Sequence, residues 1–314
     1  MDCSFTQRKG ESRPRKNSRA LCADYMINKI VVHGGTFHAD DVCSVSIARL
    51  MNPKVIFERV LSTDGLDVNS EDGTIVADIG FGFFDHHGNS VRPRRDGGPH
   101  SACTLLWERF GTEIIEKTCA IDCQTAKKVA SKIEDTMLFP IADGDNGIFG
   151  SGFTINDIIS RMNPDWEHTS EKESDDAFGI AVNFMDKILK ITINKAMAEV
   201  KAEVIVLDAV QKMNNGIVIL PCFLPWEDVC IKNKDARIVV FPSNRGGYSI
   251  QMVPVRKNSF QTRVDTPETW HGLSDDSAEA VMPGMTFCHK NGFLASFRTQ
   301  SDAIEAAKTI VGVG

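Results

Sequence analysis

From residue 29 onward, short β-branched runs alternate with helical stretches: KIVV, a helical pattern over about 41–51, VIFERV and TIVADI. Strands separated in this way by helical patterns indicate a parallel sheet with crossover helices, so the N-terminal half is expected to be α/β. HSACTLLWERFG and QTAKKVASKIEDTMLF carry apolar residues at three-to-four spacing and read as amphipathic helices. From Ser174 to Met213 the one breaker is Gly179, which predicts a long helix or a pair of helices joining two domains. Beyond it GIVIL, ARIVVF, YSIQMVPV and MTFCHKNGFLASF read as strands and SDAIEAAKTI as a closing helix. The expected organisation is a basic arm over 1–28, an α/β domain over 29–172, a helical connector over 173–215 and a smaller α+β domain over 216–314.

Composition narrows the class. With 42% hydrophobic and 25% charged residues, the chain has the balance of an ordinary globular protein and no apolar run long enough for a membrane span. Its formal charge of −7 argues against holding nucleic acid by bulk electrostatics, although a metal and a few arginines can still hold phosphates. Nine scattered cysteines without a C-x-x-C pair indicate neither a disulfide framework nor a zinc knuckle, and a reducing, cytoplasmic compartment is expected. The first 25 residues carry Arg8, Lys9, Arg13, Arg15, Lys16 and Arg19 without apolar periodicity. That segment is expected to be disordered, and one explanation is an upstream start, because Met26 is followed at once by the strand-like INKIVV. An Arg- and Ser-rich leader is also the pattern of a mitochondrial transit peptide, and a nucleic-acid-binding arm is a third reading.

Chemistry concentrates at the strand ends. Five of the eight histidines (33, 38, 86, 87 and 100) fall between His33 and His100, where an even spread would put about two. His33, His38 and Asp40 lie in HGGTFHAD directly after KIVV, and His86 and His87 lie in FFDHHGN soon after TIVADI. Strand carboxyl ends of an open α/β sheet gather at one edge, so these loops should converge. Asp78 is expected to end the TIVAD strand, where a carboxylate must be paired or ligate a cation. Asp143 and Asp145 lie in IADGDNG, read as a Gly-rich turn able to reach the same edge. Imidazoles with carboxylates and no thiolate suit Mn²⁺, Mg²⁺, Fe²⁺ or Zn²⁺, and six or seven such ligands suit two ions, an arrangement used in phosphoester displacement. Singly, each residue also has a structural explanation: a turn hydrogen bond for His33, a helix N-cap for Asp40, Asx turns for Asp143 and Asp145.

On HGGTFHADD (33–41), VADIG (76–80), FDHH (84–87), DNG (145–147), WHGL (270–273) and FCHKNGF (287–293), the chain resembles the melanocyte-proliferating-gene-one exonuclease family, a branch of the DHH phosphoesterase superfamily. The resemblance runs from about residue 29 to the C-terminus. It implies a doubly wound, mostly parallel DHH-like domain followed by a smaller C-terminal domain, with a dinuclear, Mn²⁺-preferring centre. Position by position it implies that His33, His38 and Asp78 hold one ion and that Asp40, Asp78, His86 and Asp145 hold the other, with Asp78 bridging and Asp40 part of the catalytic machinery. His87 would face the substrate phosphate. Where the family reads Cys-Asp-Glu this chain has Ala39, Asp40 and Asp41, and Asp143 is displaced from the family's acidic turn whereas Asp145 matches it. The family's 3′–5′ RNA exonuclease branch acts in eukaryotic organelles.

For phosphate recognition, Arg92, Arg94 and Arg95 follow the D-H-H loop in a turn-rich basic segment, and guanidinium forks match phosphate oxygens; a solvated charge run competes with that reading. His289 and Arg298 in the second domain are the remaining candidates for substrate contact, and the four tryptophans read as core or interface residues. The expected activity is a dinuclear-metal phosphodiesterase, an exonuclease on RNA or short oligonucleotides. The alternatives are hydrolysis of a small phosphate compound such as pyrophosphate or a dinucleotide, and a non-catalytic regulatory protein that keeps the fold. Neither H-E-x-x-H nor a nucleophile elbow is present, so the zinc-protease and serine-hydrolase motifs are missing.

Overall fold

The computed structural model describes residues 27–70, 72–88, 91–148, 150, 152–168 and 170–312; the basic arm expected over 1–28 lies outside them up to Met26. Two compact units share the chain, one ending at Ala120 and resuming over Glu134–Leu189, the other built from Ile121–Ile133 and from Lys190 onward.

In the first unit, β1 (Lys29–His33) lies between β2 (Ile56–Val60) and β3 (Thr74–Val76) in a three-stranded parallel sheet. Val31 pairs with Glu58 on one side and with Val76 on the other. Ile30, Val31 and Val32 are fully buried, as expected of a central parallel strand covered on both faces. The helix α1 (Ala39–Met51) follows β1 and is buried from Ala39 to Ala48, packing against β1 and α2 (Ala102–Cys119). The predicted helix QTAKKVASKIEDTMLF divides: α3 (Cys123–Ile133) belongs to the second unit, a π-helical turn (Glu134–Leu138) follows, and α4 (Phe139–Asp145) starts with Pro140 in its first turn. The short α5 (Ile155–Ser160) is capped by Thr154, whose hydroxyl accepts from the Asp157 amide. The Gly179 region does not interrupt α6, a single 41-residue helix over Glu171–Gln211 whose residues to Leu189 count with the first unit.

Two sequence expectations need correction. β3 stops at Val76, so Asp78 does not end a strand; Ala77 makes an isolated bridge to Phe84 and Asp78 turns into the left-handed region at φ 59°. Asp143 and Asp145 lie on the last turn of α4 rather than in a Gly-rich turn.

The second unit is a five-stranded mixed sheet in the order β4 (Ile217–Ile219), β5 (Ile238–Pro242), β6 (Tyr248–Met252), β8 (Leu294–Phe297), β7 (Met285–Cys288), parallel at β4–β5 and antiparallel elsewhere. Alternate residues of β5 face opposite cores. Val239 and Phe241 join Val206, Val210 and Trp226 beside α7 (Glu227–Lys232). Ile238 and Val240 join Ala303, Ala306 and Ala307 of α9 (Gln300–Val311) and Ala278 of α8 (Asp275–Val281). Trp107, Trp226 and Trp270 are buried, whereas Trp166 is exposed, which excludes the core and not the interface half of its reading.

Candidate metal centre

The loop between β1 and α1 is rigid by construction. Gly35 takes φ 79°, a conformation that costs a residue with a Cβ, and its carbonyl accepts from the Arg59 guanidinium at 2.5 Å. Arg59, on β2, also donates to Ser174 and Asp175 and lies against the rings of Phe37 and Phe178, 5.5 and 4.7 Å from their centroids. Asn163 grips the next part of the loop, accepting from the Phe37 amide at 2.9 Å and donating to the Phe37 carbonyl at 2.8 Å. His33 and His38 are thereby presented with ring centroids 5.6 Å apart. His33 donates Nδ1–H to the Gly34 carbonyl at 3.0 Å, which turns Nε2 toward Asp41 and Asp78 as the nitrogen that could ligate.

Asp78 lies at the middle of the set. Its Oδ2 is 3.3 Å from His33 Nε2 and its Oδ1 is 3.1 Å from His86 Nδ1, so each carboxylate oxygen faces a different imidazole. His86 Nε2 is 3.0 Å from Asp145 on the last turn of α4. Asp40, in the first turn of α1, is fully buried, and one of its oxygens accepts from the Ala102 amide of α2 at 3.3 Å. It is not an N-cap; His38 holds that place, and its amide donates to Asp41. Among the described residues, donor atoms come within metal-ligand reach of one another inside each of three groups: Asp78, Asp85, His86 and His87; His33, His38 and Asp41; and His38, Asp40 and Asp145.

The electrostatics are those of a cation site. Asp40 Oδ1 and Asp41 Oδ1 are buried without a hydrogen-bond partner, an arrangement that costs free energy unless a ligand satisfies it, and Asp78 Oδ1 and His86 Nδ1 are buried against one another. Burial, reinforced by the charges of Asp78, Asp145 and Asp41, pushes the Asp40 carboxyl well up. Burial alone would lower His33, yet its contacts with Asp41 and Asp78 carry it up to about 11. His86 is raised to about 9 against its own burial by Asp145 and Asp78. Burial would raise Asp78, but the two imidazoles hold it down at about 2. Protons on the histidines thus balance the crowded carboxylates where divalent cations would otherwise do so. The mixed imidazole and carboxylate set fits such ions.

Asp41 and Asp85 join the candidate donor groups, although the motif reading gave them no role. Asp41 approaches His33 Nε2 to 2.8 Å. Asp85 accepts from the Phe81 amide at 2.6 Å, from the His87 amide at 3.0 Å and from His87 Nδ1 at 2.7 Å, so it orients His87. The signal for Asp41 was the acidic doublet in the first turn of α1; for Asp85 it was the acidic member of D-H-H itself.

The other residues considered belong to none of these donor groups, although Arg92 and His100 line a cavity together with His86. His100 is buried against Thr104 at 2.9 Å and belongs to none of the three donor groups. Arg94 is buried, donating to Asp96, Asp143 and the Phe139 carbonyl and stacking on the Phe139 ring at 4.5 Å. Asp143 is therefore the acceptor of Arg94. Arg92 pairs with Glu108, and Arg95 with Glu134 and Asp135; both are half-exposed or more. In the second unit, Arg298 pairs with Glu279, and His289 accepts from the Asn291 amide and packs on Phe293 at 4.3 Å.

A family model labelled MYG1 exonuclease, described as an uncharacterised protein family (UPF0160), matches residues 29–311. The chain is 26% identical over 325 residues to the MYG1 protein of Saccharomyces cerevisiae, covering 90% of this chain and 95% of that protein. It is 24% identical to the MYG1 protein of Dictyostelium discoideum, covering 90% of this chain and 96% of that one. Against the MYG1 exonuclease of Homo sapiens it is 23% identical, covering 89% and 85%. No solved structure matches at a significant level. Among the described residues, no helix is long and apolar enough to cross a membrane.

Proposed function

The chain belongs to the MYG1 exonuclease family, and from that premise we propose that it is a dinuclear-metal phosphodiesterase of the DHH type that removes nucleotides from RNA or short oligonucleotides. The observation that carries this reading is the central carboxylate of Asp78, whose two oxygens face His33 on one side and His86 on the other. On this reading His33, His38 and Asp78 hold one Mn²⁺, and Asp40, Asp78, His86 and Asp145 hold the second; Mg²⁺ or another hard divalent ion suits the same donors. When bound, the two ions supply Lewis-acid activation of water and neutralise charge on the reacting phosphate. The protein's own contribution is positional. Arg59 and Asn163 fix the His33–His38 loop, and the α2 amide at Ala102 orients Asp40. Asp85 holds His87 by Nδ1, which leaves Nε2 to hydrogen-bond a phosphate oxygen. Of the arginines, Arg92 and Arg95 have the exposure to meet further phosphates, while Arg94 holds the loop to α4. His289 and Arg298 are also proposed as substrate-contact residues.

The test is purified protein with Mn²⁺ assayed on labelled RNA, single-stranded DNA, dinucleotides and pyrophosphate. Stepwise shortening of an oligonucleotide that is abolished by chelator supports the proposal. Cleavage of pyrophosphate alone would establish a small-phosphate hydrolase instead, and no hydrolysis of any substrate would favour the regulatory reading.

A further inference from the structure

The loop from Asp78 to Asp85 has a feature that metal binding does not require. Its ends are residues of the centre, and it is closed on itself by the Asp78 amide donating to the Phe84 carbonyl at 3.0 Å. At its tip, Phe81 and Phe83 are 75% and 63% exposed. Phe81 adopts φ 57°, a left-handed conformation that a bulky non-glycine residue rarely takes, and it is held there by the hydrogen bond its backbone N–H donates to the Asp85 carboxylate. Gly82 between them packs so closely on the Val68 carbonyl that a Cβ would collide with it. The backbone is thus fixed between two aromatic side chains that face solvent, in place of the burial that would normally stabilise them.

We propose that Phe81 and Phe83 form a stacking platform for an unpaired nucleobase next to the scissile phosphate, an inference that rests on the phosphodiesterase reading and specifies how its substrate is held. Three features favour this occupant. Phe81 is three residues from Asp78, so no more than about 11 Å of chain separates it from the centre of the ligand set. Stacking on aromatic rings is the sequence-tolerant way to hold single strands, because every base offers a π-face. Asp85 connects the platform to chemistry, since one of its oxygens holds Phe81 and the other holds His87. A base placed on the rings would set the register of its phosphate against His87. Bases in a duplex are not free to stack in this way, so the platform selects single-stranded ends.

The experiment uses the full-length, Mn²⁺-loaded protein and a phosphorothioate-linked oligonucleotide carrying 2-aminopurine at either terminus, so that binding is read by fluorescence without turnover. The wild type should quench the fluorophore at one end. Phe81→Ala with Phe83→Ala should weaken binding roughly five- to a hundredfold per ring and lose the quenching. Phe81→Trp with Phe83→Trp should restore both. Because Phe81 is conformationally special, Phe83→Ala alone is a second variant that leaves the left-handed position untouched. Mn²⁺ content, which the two side chains do not touch, should be unchanged in all of these variants and reduced in Asp78→Ala, which separates loss of the rings from loss of the centre. Equal oligonucleotide affinity in the wild type and the double variant would overturn the platform. So would a dimer in light scattering that dissociates in the double variant, because the rings would then cover a second copy of the chain. If the wild type hydrolyses no phosphodiester with Mn²⁺, the catalytic reading fails, and the fluorescence still decides the platform.

Discussion

The metal centre and the arginine segment at 92–95 both looked like binding chemistry in the sequence, and they end in opposite electrostatic states. In the candidate centre, one buried oxygen each of Asp40 and Asp41 lacks a hydrogen-bond partner, and Asp78 meets only imidazoles. In the arginine segment every guanidinium meets carboxylate: Arg92 with Glu108, Arg94 with Asp96 and Asp143, Arg95 with Glu134 and Asp135. A buried polar group without a partner costs free energy that a ligand can recover, whereas the buried and already paired Arg94 is a structural tie; Arg92 and Arg95 are paired at the surface, where carboxylate and phosphate can exchange.

The largest expected effect breaks the first half of that comparison. Asp78→Ala removes the group that faces both imidazoles, and turnover on any phosphodiester should fall by at least the ~10²–10³-fold typical of losing one electrostatic group at an active site. Steady-state kinetics with saturating Mn²⁺ measure it, and near-normal turnover would remove Asp78 from the site.

The second prediction concerns stability and separates the arginines. Arg94→Ala deletes a buried guanidinium that ties Asp96, Asp143 and the Phe139 carbonyl together, which should cost ~1.5–3 kcal/mol in urea unfolding because the carboxylates left behind are more than a third exposed, while Arg92→Ala, a surface pair, should cost no more than about 1 kcal/mol. In salt titrations of single-strand binding, each exposed arginine that meets a phosphate should take about 0.7 from the slope when neutralised. A similar loss on changing Arg94 would show that it leaves its carboxylates for substrate.

How far these distinctions were legible depends on their physical origin. The strands KIVV, ARIVVF and YSIQM are written in β-branched and apolar runs, and the histidines after KIVV and TIVADI were visible as clusters at strand ends. The fate of Arg94 was not, because pairing with Asp143 across 49 positions is a tertiary event that leaves no local pattern. Asp78 was expected to end its strand, since TIVAD reads as a continuous run. The left-handed turn after Val76 arises from the Asp78–Phe84 closure, which composition does not record. The doublet Asp40–Asp41 was noticed for one member only, because a helix start explains an acidic residue equally well.

The third prediction splits His86 from His87. His86 lies between Asp78 and Asp145, so His86→Ala should lower both metal content and turnover. His87, half-exposed and held by Asp85, should when changed to Ala lower turnover by roughly 10²-fold, within the usual range for a proton-transfer or hydrogen-bonding group, with metal content near normal. Equal metal loss in the two variants would contradict the division.

The smallest effect is on the pH dependence of the metal-free protein. His86 at about 9 and His33 at about 11 stand above their ordinary 6.5, so the stability they contribute is complete below pH 6.5 and is lost as pH rises through 9 and then 11. The raised Asp40 acts in the same direction, while Asp78, lowered from 3.8 to about 2, loses its contribution only as pH falls through 2. The melting temperature of chelator-treated protein should therefore decline from pH 6.5 to 9. With saturating Mn²⁺ the decline should vanish or reverse, because ligating imidazoles must be neutral. A rise with pH in the metal-free protein would contradict the assignment of protons to His33 and His86.

The most direct measurement is Mn²⁺ binding to the wild-type chain, followed by calorimetry for stoichiometry and by electron paramagnetic resonance for coupling between the ions. Two ions per chain with an exchange-coupled spectrum, reduced by more than one ion in Asp78→Ala, are the result expected of a site built around a shared carboxylate. A single six-line signal, no bound ion, or full metal content in Asp78→Ala would contradict it.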